Sequence, residues 1–278
     1  MIKLEIFNKD GTIPTGTFGF EPEIFPMVGE GEHSAFIATL DLPYQEGDYI
    51  RVTTDAPGRY IMAKLDETLD TALVYLKGST WDYPIPTTEG ARKSIPDAAF
   101  SGKRRNLSVR YATDVEINTY RNLALNTHDQ KEDAGAYPHA YANVETRNDS
   151  TFFAKNAIDG VLANNSHGPY PYQSWGINRD PNAALTIDFG RPVRLDKVAL
   201  TLRADFPHDS YWTQVTLRFE CGKTHTLHTQ KLVEPQMFDF EPIVTRYVVL
   251  QDLIKAQDES PFPALTQIAL YGTELSVG

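Results

Sequence analysis

The chain has 278 residues, with 26 Lys and Arg against 37 Asp and Glu, a formal charge of −11. Its 41% hydrophobic and 23% charged residues are the balance of a globular protein, and 11% aromatics exclude wholesale disorder. The acidic excess argues against sequence-independent nucleic-acid binding, which needs Lys and Arg to neutralise phosphates, and no run approaches the roughly 18 apolar residues of a membrane span.

The start, Met1-Ile2-Lys3-Leu4-Glu5, lacks the apolar core of a secretory signal. The expected location is cytoplasmic, with a processed, secreted chain as the alternative. Period-two runs then follow over 4–7, 35–40, 48–53, 60–65 and 72–76. Turn signals such as Asp10-Gly11, Glu46-Gly47-Asp48 and Ala56-Pro57-Gly58 separate them. Alternation of this kind gives each strand one buried and one wet face. A small β domain of unassigned role is predicted over 1–111. Its run Thr80-Trp81-Asp82-Tyr83-Pro84-Ile85-Pro86 reads as a packing patch or a ligand edge. Lys93, Lys103, Arg104 and Arg105 read as a solvated connector or an anion site.

The clearest helix is at 112–121, where Thr113 and Glu116 have the spacing of a capping box. It is expected to be a helical linker to a second domain over 122–278. There the alternating pattern returns at 185–189, 198–202 and 215–219. Cys221, the one cysteine, lies in the turn Glu220-Cys221-Gly222-Lys223 and has no intramolecular disulfide partner.

The second domain carries an ordered set of short motifs. Asn122-Leu123-Ala124 is followed by Asn156-Ala157-Ile158-Asp159-Gly160 and then by Ser174-Trp175-Gly176. Leu185-Thr186-Ile187-Asp188-Phe189-Gly190 comes next, and Gln267-Ile268-Ala269-Leu270-Tyr271-Gly272 closes the set. In this order they resemble the coagulation factor V/VIII type C (discoidin-like) domains, and among these the bacterial family-32 carbohydrate-binding modules, over about residues 121–274. Alternation and frequent turns along the chain predict an all-β protein of two β domains, and the resemblance implies that the C-terminal one is a discoidin-like, galactose-binding-like jelly-roll sandwich. It also implies lectin-like recognition of a mono- or oligosaccharide by loops at one end of that sandwich.

Two loops carry suitable chemistry. One runs from Asn164 to Trp175 and holds His167 and Tyr170; the other follows Leu202 and holds Arg203, Asp205, His208 and Trp212. A pyranose offers a C–H face to an aromatic ring and a hydroxyl rim to charged partners. By resemblance, Arg203 and His208 are expected to bind hydroxyls with Asp205 as an acceptor and His167 as a further ligand. Trp212 or Tyr170 would be the stacking surface. Each has a plainer alternative: Trp212 and Trp175 as core, the histidines as surface residues, and Arg203 with Asp205 as a loop-fixing ion pair.

The resemblance further implies a structural calcium ion, held by Asn156, Asp159, Asn164 and Ser166 with Gln267 standing where relatives have a Glu. The loss of that charge is expected to weaken the site or remove it. Other chemistries fail on spacing. His225 and His228 are three apart in an apparent strand, Ser174 lacks a G-x-S-x-G elbow, and no phosphate-binding loop or H-E-x-x-H is present. The leading expectation is a non-catalytic carbohydrate-binding protein, without nucleic-acid or membrane partners. The alternatives are a sugar-processing enzyme or accessory subunit of a glycan lyase or hydrolase, and surface adhesion through Phe206, Tyr211 and Trp212.

Overall fold

The computed structural model describes residues 1–19 and 23–275. The protein is all-β and divides into two units. The first comprises Met1–Glu116 with Ala134–Ala136, and the second Ile117–Asp133 with Tyr137–Gly278. Residues 134–136 therefore group with the first unit, unlike the sequence expectation; Gly135 accepts a hydrogen bond from the Lys77 backbone, and Ala136 joins the first core.

The first unit is built mainly from two antiparallel sheets, beside a two-stranded pairing of Thr15–Gly16 with Phe25–Pro26. One orders Val28–Gly31, Ile2–Phe7, Tyr49–Thr54 and Thr80–Pro84; the other carries Ala72–Leu76, Arg59–Lys64, Arg105–Tyr111 and Ser34–Thr39 in that order. The alternation in Ser34–Thr39 and Tyr49–Thr54 sends every second side chain into one core. Trp81 and Tyr83 lie in it, so their run is a packing patch. Arg105 is buried as well. Its guanidinium donates to the carbonyls of Ser101 and Gly102 and lies over the Tyr44 ring, which removes it as an anion ligand.

The helix Asp114–Asn118 is shorter than expected but keeps its capping box. Thr113 Oγ1 accepts from the Glu116 backbone at 3.3 Å, and Glu116 Oε2 accepts from the Thr113 backbone at 2.9 Å. Glu116 is further held by Arg110, and that pairing fixes its carboxyl at about 2, below the ordinary range.

In the second unit an antiparallel sheet orders Ala264–Glu274, Leu185–Leu202, Gln236–Lys255, Trp212–Phe219 and Thr224–His228. Arg121–Asn122 and Trp175–Gly176 pair with Ala264–Glu274, and His139–Ala142 pairs with the start of Leu185–Leu202. The two longest strands, Leu185–Leu202 and Gln236–Lys255, pair with each other along most of their length, and both shift register on the way. Leu185–Leu202 changes register between Asp188 and Val193, where Gly190 takes φ +67° and its backbone donates to Asp188 Oδ1. Leu185, Ile187 and Phe189 before the bend and Val193, Leu195 and Val198 after it enter one core with Trp175 and Trp212. Loops gather at the end of the sandwich where Leu202 stops and Ala264 starts.

Candidate saccharide site

The Asn164 amide draws two of those loops together. Its Nδ2 donates to the carbonyls of Leu202 (2.7 Å) and Val233 (2.8 Å), while the Asn164 backbone carbonyl accepts from the Ala204 backbone (2.8 Å). Being buried, these bonds hold their geometry without competition from water. The clip brings residue 167 against residue 203.

Arg203 and Asp205 then form a bidentate pair, Nε to Oδ1 at 2.5 Å and Nη2 to Oδ2 at 2.6 Å. His167 Nδ1 lies 2.6 Å from the same Oδ2 and 2.9 Å from Arg203 Nη2; an ionised carboxylate can only accept, so the Asp205 contact is the one that calls for a proton on Nδ1. Burial opposes charge on Asp205, but the bonds from Arg203 and His167 prevail and hold its carboxyl below the ordinary carboxylate range. Arg203 itself is only 7% exposed and reaches the carbonyls of Phe262 and His208. That contact, with Ser260 Oγ donating to the His208 carbonyl at 2.8 Å, pins a third loop to the first two.

These loops enclose one wall of a cleft of about 900 Å³ that is lined by His167, Arg203, His208 and Phe262. Arg147 and Arg179 line it too, from loops at 146–153 and 176–180. Those loops approach closely because Gly176 has no side chain. A Cβ there would lie 2.7 Å from Thr146 Oγ1 and 3.1 Å from Phe152. Phe262 is 47% exposed; the Arg179 guanidinium lies 4.4 Å from its ring centroid, so the stacking surface is the face that Arg179 leaves uncovered.

No family model matches the chain, and no curated protein matches it. Among solved structures it is similar to carbohydrate-binding modules. Chitosan-binding module 1 of a chitosanase/glucanase from Paenibacillus sp. IK-5 is 18% identical, covering 55% of this chain and 100% of its own, with a TM-score of 0.39. The family 32 module of C. perfringens NanJ, solved with galactose, is 18% identical over 48% of this chain and 91% of its own, with a TM-score of 0.37. A Streptococcus pneumoniae fucose-binding module is 16% identical over 55% and 98%, with a TM-score of 0.38.

The loops after Leu202 and around His167 thus meet at one rim, with His167, Arg203 and His208 facing the cleft. Asp205 sits behind them as the group that fixes Arg203 and His167. Trp212 is a correction: it is fully buried, packs in the core 6.4 Å from Trp175 and does not line the cleft, because register shifts between Trp212 and Thr216 break the alternation that would place it opposite Val215, Leu217 and Phe219. Tyr170 is exposed but does not line the cleft. Sequence reasoning missed Phe262, Arg147 and Arg179, which lie outside the two loops with the visible motif: Arg147 ahead of the first, Arg179 just past Trp175, and Phe262 just before the last strand. Of the proposed adhesive spikes, Trp212 and Tyr211 pack in or on the core and Phe206 alone is exposed.

The residues expected to hold calcium do not fit that ion. Gln267 Nε2 donates to the Asn156 carbonyl at 2.6 Å and to Asp159 Oδ1 at 2.7 Å, the two oxygens a cation would have to share. Its Oε1 is turned away to accept from the Gly160 backbone at 3.0 Å, which fixes which end of the amide faces the oxygens. Gln173 Nε2 and the Val161 backbone also donate to Asp159. Asn164 is the loop clip described above. Asn156 gives its Nδ2 to the carbonyls of Ser150 and Ser174, and its Oδ1 is one neutral buried acceptor without a hydrogen-bond partner. Among the described residues, Ser166 makes no hydrogen bond to this group. Amide N–H groups therefore occupy the role of the cation.

Proposed function

We propose that this protein binds saccharides without chemically altering them, through the cleft at the loop end of its second unit. The observation that carries the reading is the Arg203–Asp205–His167 constellation beside the exposed Phe262 ring. His167 and His208 line the cleft beside the edge of Arg203 that its bonds to Asp205, Phe262 and His208 leave over, and these polar groups suit ring hydroxyls. Phe262 presents an apolar surface suited to the C–H face of a sugar. Preorganisation of this kind lowers the ordering cost of binding, and an open, wet cleft with few anchors suits micromolar to millimolar affinity.

The binding reading is favoured over hydrolysis by the carboxylates. Glycoside hydrolysis generally needs two of them flanking the scissile bond. Among the described residues lining the cleft Glu259 is the single carboxylate, and Asp205 behind it is spent on Arg203 and His167.

Titration of the full chain against a glycan panel tests the proposal, with Arg203→Ala and Phe262→Ala as variants. At least one saccharide should bind, and each variant should weaken it by about tenfold or more. Absence of any binding across the panel, or unchanged affinity in both variants, overturns it.

A further inference from the structure

The cleft is cationic in an acidic chain. Arg147, Arg179, Arg203, His167 and His208 line it against the single carboxylate of Glu259, although the chain as a whole carries −11. Arg203 is already neutralised by Asp205. The uncommitted charge lies on Arg147 and Arg179, both exposed and neither in an ion pair or polar side-chain bond among the described residues.

Both guanidinium groups are nevertheless held in place. Arg147 lies over the Phe152 ring at 5.3 Å and Arg179 over the Phe262 ring at 4.4 Å, and all four residues line the same cleft. Their loops are tied to each other, since the Asn178 backbone donates to Thr146 Oγ1 at 2.9 Å and each arginine is the next residue along. The backbone there is unusual as well. Of the six non-glycine residues with positive φ among the described residues, four are Arg147 (56°), Asn148 (51°), Asn178 (49°) and Arg179 (60°). Left-handed conformations of such residues cost energy, and folds concentrate them where a side chain must be aimed. Two aimed, unpaired guanidinium groups are a receptor for a planar or tetrahedral oxyanion, which each can bind through two parallel N–H donors.

We propose that the saccharide taken by this cleft is acidic, its carboxylate or sulfate ester paired with Arg147 and Arg179 while Arg203 and His167 face its hydroxyls. This rests on the saccharide reading of the same cleft and adds the ligand's charge. Neutral sugars lacking the anion lose the two strongest contacts.

The test compares matched ligands on the full chain. Trigalacturonate is set against its neutral methyl ester, galactose 6-sulfate against galactose, and sialyllactose against lactose. Each pair is titrated against the wild type, Arg147→Gln, Arg179→Gln and the double variant, at about 20 mM and about 300 mM NaCl. The acidic member of at least one pair should bind about tenfold more tightly at low salt, and the double variant should reduce that preference to about threefold or less. The pair that responds tells carboxylate from sulfate. Equal affinity of acid and neutral members, a preference that survives in the double variant, or binding by neutral sugars alone overturns the acidic assignment while leaving the saccharide reading in place. Failure of every acidic and neutral sugar, including those of the wider glycan panel, overturns both.

Discussion

Thr146 accepts a hydrogen bond from the Asn178 backbone at 2.9 Å, and this one contact joins the two loops that present Arg147 and Arg179 to the cleft. Thr146→Ala removes it. Loss of a single partly exposed hydrogen bond should cost about 1 kcal/mol of stability. Saccharide affinity should fall by about threefold or more, because the arginines lose their relative placement. Chemical denaturation and titration of the same preparation check both expectations, and Thr146→Ser should restore most of the affinity.

Trp212 and Phe262 should separate core from site. Trp212 is fully buried, so Trp212→Ala should destabilise the second unit by about 3–5 kcal/mol through the cavity it leaves. Trp212→Phe should cost less, since the indole Nε1 is a buried donor with no hydrogen-bond partner, and removing it removes that penalty. Phe262→Ala should leave the melting temperature nearly unchanged and act on saccharide affinity. Thermal unfolding alongside titration distinguishes the two positions.

Gln267 stands where a calcium ligand was expected, and its amide bridges Asn156, Asp159 and Gly160. Gln267→Ala breaks three hydrogen bonds in a largely buried group and should destabilise by about 2–3 kcal/mol. Added calcium or a chelator should shift the wild-type melting temperature by less than about 1 °C, the result expected when no ion binds the folded state.

His128 is buried, and burial alone lowers its pKa from the ordinary 6.5 to about 3. A group depressed in this way supports stability in full above the unfolded value, and that support is lost as pH falls from 6.5 towards 3. At pH 5 the loss is about 2 kcal/mol. His139 works in the opposite sense: burial would lower its pKa, but the hydrogen bond to Asp129 at 2.8 Å and that carboxylate's charge raise it. Its contribution is therefore complete at low pH and fades as pH rises past the raised value. Urea unfolding from pH 7 to pH 4 should show the decline, and His128→Asn should flatten it while His139→Asn steepens it.

The strands were legible in the letters because each follows a local rule. Alternation in Ser34–Thr39 or over 215–219 depends on residues two apart, and the capping box of Thr113 and Glu116 needs only one turn of chain. The same rule would set Trp212 on the face opposite Val215, Leu217 and Phe219; register shifts between Trp212 and Thr216, which no spacing shows, turn it into the core instead. Residues within one loop were also readable: Arg203 and Asp205 are two apart, and charge and aromatic content marked their loop as a recognition surface.

Contacts between distant segments were decided by the fold alone. His167 reaches Asp205 because the buried Asn164 amide bonds to Leu202 and Val233, a clip that no spacing rule encodes. Phe262, Arg147 and Arg179 enter the cleft from loops more than 80 residues apart in places, brought together by antiparallel pairing and by the room that Gly176 leaves. Composition could say that arginines and carboxylates were available. Which arginine was neutralised by a carboxylate and which was left to face the cleft depended on three-dimensional proximity, since ionic attraction acts through space and takes no account of position along the chain.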